Sequence, residues 1–132
     1  MTASTHDIFV ALERGTPALF VWSARLLPVA LAAQFFLAGQ SLFAGLPWSI
    51  HGMVGGLAGV PIVIMAIMAC AIGYLRGFAW WALGALALYG LQITLAAGSA
   101  TMLALHPFNA SLLLIAALVL LAKIERRRAL HT

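Results

Sequence analysis

The stretch GMVGGLAGVPIVIMAIMACAIGYL, running from Gly52 to Leu75, decides the fold, because it contains no Asp, Glu, Lys or Arg and is long enough to cross a bilayer. A spanning helix needs about 20 largely apolar residues, since in hydrocarbon every backbone N–H and C=O must be satisfied within the segment itself. Three similar runs flank it. Ala18–Ala44 lies before it, and Phe78–Ala97 and Thr101–Ala122 follow, separated by short polar or glycine-rich breaks. The whole 132-residue chain is 64% hydrophobic and 8% charged, against about 45–50% apolar and about 25% charged in soluble domains. The expectation is an all-α membrane protein: one domain over residues 1–132, a four-transmembrane-helix bundle with no soluble catalytic domain.

The formal charge of +4 is localised. Arg14 and Arg25 flank the start of the first run, Arg76 sits in the second turn, and Lys123, Arg126, Arg127 and Arg128 follow the fourth run. The turns Gly45–Ile50 and Gly98–Ala100 carry no charge. By the positive-inside rule the N and C termini and the second turn are cytoplasmic, in a multi-pass protein of a bacterial inner membrane. Trp22, Trp80 and Trp81 then lie near the inner interface and Trp48 near the outer one. This distribution orients a membrane protein and is no nucleic-acid footprint. Met1–Thr16 contains Asp7 and Glu13 and lacks a small-residue cleavage site after a short apolar core, so the first helix is expected to stay. The single cysteine, Cys70, excludes an intrachain disulfide and a thiolate metal cluster and is read as apolar filling.

Within the four runs the polar residues repeat. Gln34 and Gly39 lead into an outer turn and then His51; Gln92 and Gly98 lead into an outer turn and then His106. Both halves begin inside and carry their histidine outside, so the pattern is a parallel two-helix repeat with its pseudo-axis along the membrane normal. Short turns join consecutive helices as antiparallel neighbours, giving an up-down-up-down bundle in which the second and fourth helices are diagonal. His51 and His106 then face each other near the outer surface.

Two imidazoles so placed suit the axial positions of one b-type haem, with both nitrogens as metal ligands. Gly55 and Gly59, with Gly52 and Gly56, offer a surface against which a flat ring can press, although small-xxx-small spacing equally serves close helix packing. Asn109, three residues after His106, is placed to steady a ligand or a propionate. Gln34 and Gln92 either contact the haem or a quinone-like molecule, or bond across the first and third helices. Tyr89 shares the helix face of Gln92. His6 and His131 lie in the tails, away from this site. Arg25 is expected to snorkel to the inner interface.

The motifs Gln-x-x-Leu-Ala-Gly from Gln34, His51 opening the second helix, Gln-x-x-Leu-Ala-Ala-Gly from Gln92 and Leu105-His106-Pro107 carry a resemblance. The chain resembles one four-helix half of the haem A synthase family, and small bacterial four-helix membrane proteins with a Leu-His-Pro motif. That resemblance implies His51 and His106 as axial haem ligands. It does not extend to synthase activity, which needs a second bundle and acidic chemistry that Asp7, Glu13 and Glu125, all on the inner side, do not supply. Two functional expectations follow. The first is a membrane cytochrome b subunit passing electrons within a larger membrane redox complex or a homo-oligomer. The alternative is a cofactor-free accessory or structural subunit of a larger membrane complex.

Overall fold

A computed structural model describes residues 7–131. Four long helices dominate: α1 (Ala18–Phe43), α2 (Trp48–Ala71), α3 (Ala79–Ala96) and α4 (Ala100–Ala129). α1, α2, α4 and the stretch Gly73–Ala96 that ends in α3 are each long and apolar enough to cross a membrane. There is no strand among the described residues. The protein is therefore an all-helical, multi-pass membrane bundle.

Local chemistry explains the ends. Pro17 and Pro47 stand immediately before α1 and α2, where the fixed φ of proline costs no helical hydrogen bond. After α1 the chain reverses at Gly45, whose φ is 74°, a left-handed value that favours glycine; the Leu46 N–H returns to Gln40 O at 3.2 Å, joining the Ala44 N–H on that carbonyl. Ser99 caps α4, its Oγ accepting from Met102 N–H. The apolar run ends at Ala122, but α4 continues to Ala129. Arg128 pairs with Glu125 one turn back, and Arg126, Arg127 and Arg128 occupy the last turn, where cations offset the negative end of the helix dipole.

α1 packs on α2 and α4, and α3 packs on the same two helices. The apolar core lies toward the end where α1 begins and α4 finishes, around Phe20, Leu27, Ile62, Met65, Phe78, Leu113, Leu120 and Ile124. Phe20 and Phe78 meet edge to face at 5.5 Å, the geometry the ring quadrupoles favour. A 3-10 segment, Gly73–Phe78, brings Leu75 and Phe78 into this core.

The same end carries the basic residues in contact with one another's partners. Arg25, rather than only snorkelling, joins α1 to α4 through Glu125 at 2.6 Å. Arg127 is 1% exposed. Its Nη1 donates to Ile8 O at 2.6 Å and Val10 O at 2.7 Å, and its Nη2 to Ala11 O at 3.1 Å. Those bonds hold the segment before α1 across the end of the bundle. The His131 ring bonds Leu12 O beneath the same segment, away from the other histidines. His6 lies outside the described residues.

Candidate functional site

Toward the opposite end the interior is lined by polar side chains from all four helices. α1 supplies Gln34, α2 His51 with Gly55 and Gly59, α3 Tyr89 and Gln92, and α4 His106 and Asn109. The two imidazoles are close, with ring centroids 6.3 Å apart and planes inclined by 59°. Trp48, one turn before His51, meets that ring edge-on at 5.6 Å.

The α3–α4 half of this cluster is a closed hydrogen-bond circuit. Gln92 Nε2 donates to His106 O at 3.1 Å, and Gln92 Oε1 accepts from Asn109 Nδ2 at 2.6 Å. Asn109 Nδ2 also reaches Leu88 O at 2.9 Å. His106 Nδ1 lies 3.1 Å from Gln92 O. A carbonyl can only accept, so Nδ1 carries a proton and donates. Such bonds substitute for water that the bilayer interior does not offer. His106 and Pro107 sit inside α4, in its second turn.

The α2 half is built on glycine. Tyr89 Oη donates to Gly55 O at 3.0 Å, with Gly56 O at 3.3 Å. A Cβ placed on Gly59 would stand 2.6 Å from that oxygen and 2.8 Å from the ring carbons. On Gly55 it would stand 3.0 Å from Gln34 Oε1. The glycines thus receive the Tyr89 ring and the Gln34 amide. Three buried atoms of the cluster, Gln34 Nε2, His51 Nδ1 and Asn109 Oδ1, have no protein partner.

A model of a family of unknown function (DUF6220) matches residues 34–102, more than half of the chain. The chain belongs to that family. The DUF6220 match opens at Gln34 and takes in His51, Gly55, Gly59, Tyr89 and Gln92; it closes at Met102, before His106 and Asn109. No curated protein and no solved structure matches.

The geometry corrects the cofactor expectation. Among the described residues no group of three or more His, Cys, Asp or Glu is placed to hold a metal ion, so His51 and His106 stand as a pair without further ligands. The glycine surface expected to press on a flat ring is covered, Gly55 by Gln34 and Gly59 by Tyr89. Gln92 and the Asn109 Nδ2 are spent on each other and on backbone, and the open Asn109 Oδ1 can only accept, so it cannot bond the acceptor oxygens of a propionate or a quinone. The residues do not fit a haem, and the cytochrome, electron-transfer and metal-binding readings fall with it. Gln92 does bond across helices, but to α4 and not to α1.

The roles of Tyr89 and Arg127 went unread in the sequence. A signal existed for each. Gly55 and Gly59 lie one turn apart on a face that needed a large partner. Arg127 continues the stripe Leu113, Ala117, Leu120, Ile124, whose three- and four-residue steps mark the core face of α4.

Replacing Asn109 with Leu removes the donor to Gln92 and Leu88. Interhelical polar contacts in membranes average about 0.6 kcal/mol, up to about 1.7. The expected loss is at the upper end, because Gln92 Oε1 is left without its partner; reversible unfolding in mixed micelles of mild detergent and dodecyl sulfate measures it.

Proposed function

We propose that the protein is a cofactor-free accessory subunit that packs by its helix faces against a larger membrane complex and stabilises an interface there. One observation carries the reading. α2 has two glycine pairs at helical spacing on different faces: Gly55 and Gly59 are filled from within the bundle, whereas a Cβ on Gly52 or Gly56 meets nothing within 4 Å. Exposed Met53, Leu57 and Val60 accompany that open pair. In lipid, helices associate through such small-residue faces, where backbones approach closely. The polar side chains, by contrast, gather inside the bundle and bond mainly the backbone carbonyls of neighbouring helices, which favours a scaffold over a reaction centre.

The finer arrangement belongs to the same proposal. An up-down-up-down order is supported by the pairing of α1 and α3 with the same two neighbours. The parallel two-helix repeat is supported by the matching placement of Gln34 with His51 and Gln92 with His106. Collection of Arg14, Arg25, Lys123 and Arg126 to Arg128 at one end supports cytoplasmic termini in a bacterial inner membrane.

Tagged protein extracted from its native membrane in mild detergent is expected to bring down a partner in fixed stoichiometry. Changing Gly52 and Gly56 together to Leu is expected to abolish that association while leaving the unfolding midpoint of the bundle unchanged. A particle mass equal to the single chain overturns the reading, and a mass of two or more copies alone replaces it with a homo-oligomer.

A further inference from the structure

Between α3 and α4 a groove of about 400 Å³ opens to the lipid side, lined by Trp80, Trp81, Gly84, Ala85, Leu88 and Ala116. Its floor follows from spacing. Trp81, Gly84, Ala85 and Leu88 fall on one stripe of α3, and the small residues at 84, 85 and 116 leave a slot between the rods. From Trp80 to Leu88 it extends about 12 Å along the helix. The walls are almost wholly apolar, and Trp80 and Trp81 remain 70% and 38% exposed.

A cation stands at one mouth of this slot. Lys123 lies two turns beyond Ala116 on the same face of α4, and its Nζ is 5.3 Å from the centroid of the Trp81 ring. Of the other cations at that end, Arg25 and Arg128 engage Glu125, Arg127 the carbonyls before α1, Arg14 the Tyr74 ring and Arg126 the Phe9 ring, while Arg76 stands exposed in the 3-10 segment before α3. Among the described residues no carboxylate pairs with Lys123. An ammonium beside interfacial tryptophans, continuous with an apolar slot running into the bilayer, matches a molecule with an anionic head and a hydrocarbon tail.

We propose that this groove binds an anionic phospholipid from the leaflet at the terminal end of the bundle, with an acyl chain along Trp81, Gly84 and Leu88 and the phosphate-bearing headgroup on Lys123. Trp80 and Trp81 bracket the junction between head and tail, the depth at which amphipathic rings settle. The small side chains admit the chain, and the lysine selects its charge.

The test uses the full chain with Trp22→Phe and Trp48→Phe, so that only Trp80 and Trp81 report, reconstituted in phosphatidylcholine vesicles. Quenching by dibrominated phosphatidylglycerol is compared with quenching by dibrominated phosphatidylcholine. The expected preference for the anionic lipid is about fivefold, the contribution of one cation near the membrane surface. Lys123→Gln is expected to reduce the ratio to about one, while Lys123→Arg and Arg126→Gln keep it near the parent value. Gly84→Phe, which plugs the slot, should weaken quenching by both lipids. Equal quenching in the parent protein, or a preference that survives Lys123→Gln, overturns the proposal. So does absence of quenching by either lipid, which would mean that protein covers the groove.

Discussion

Replacing Arg127 with Met is expected to release the segment before α1 from the bundle, with a loss of about 3 kcal/mol in the local opening free energy. The side chain is buried, and three charge-assisted bonds run from its guanidinium to Ile8, Val10 and Ala11. Hydrogen bonds to charged groups contribute about 1.5–3 kcal/mol each before their mutual dependence is considered. The segment is not one that holds this shape unaided. Ala11 has φ 50° and ψ 51°, a left-handed conformation that costs a residue with a Cβ about 1–2 kcal/mol. With the clamp gone, the largest offset to that cost is lost, and amide exchange at Phe9 to Leu12 should accelerate by about 100-fold, each factor of ten corresponding to about 1.4 kcal/mol. Lys at this position keeps the charge and stem but cannot fork across three carbonyls, so it should recover only part of the protection. Unchanged exchange in the Met variant would show that the segment is held by Ile8 and its apolar neighbours alone. The underside gives an independent check. A Cβ on Gly77 would run into the Asp7 backbone, so Gly77→Ala should loosen the same amides without touching the arginine.

This clamp also shows where the reading of the sequence stopped. Hydropathy exposes the four spans because each helix must satisfy its own backbone in lipid, and the basic residues mark one end because charge is costly anywhere else. Neither signal distinguishes Arg127 from Arg126 and Arg128. Only rotation about the α4 axis does, by continuing the stripe of Leu113, Ala117, Leu120 and Ile124 inward to Arg127. The same blindness to rotation affects the polar cluster. Gln34, His51, Gln92, His106 and Asn109 were legible as unusual groups in hydrocarbon, and the fold does bring them to one end. What they bond to was not legible. Imidazoles 6.3 Å apart suggest a shared ligand until the partners are placed, and the partner of His106 Nδ1 is the backbone carbonyl of Gln92 on the adjacent helix, a contact that leaves no mark in the sequence. Four glycines in a short run of α2 likewise read as one surface, but they form two faces with opposite fates.

The inward glycine face yields a large steric effect within the bundle. At Gly59 an added Cβ would lie 2.6 Å from Tyr89 Oη and 2.8 Å from Cε1 and Cζ, closer than packed atoms tolerate. The obstacle is a ring rather than the free end of a flexible chain, and Tyr89 is also tied to Gly55 O and Gly56 O. Either the ring leaves its seat and loses those bonds, or α2 and α3 move apart. Overpacking of a close-packed site costs about 1–3 kcal/mol, so Gly59→Ala should fall in that range and Gly59→Leu above it. The cause is separable from helix propensity, which favours Ala over Gly by about 1 kcal/mol and acts in the opposite direction. Shrinking the partner supplies the decisive comparison. Tyr89→Phe removes the hydroxyl but leaves Cε1 and Cζ in place, so it should barely relieve Gly59→Ala. Tyr89→Leu removes the ring and should return most of the loss, giving a coupling energy of about 1 kcal/mol or more in a double-mutant cycle measured by reversible unfolding in mixed micelles. Additive losses in the Gly59→Ala, Tyr89→Leu protein would mean that the ring does not rest on α2 at all. The seat that replaced the expected cofactor surface would then have to be abandoned.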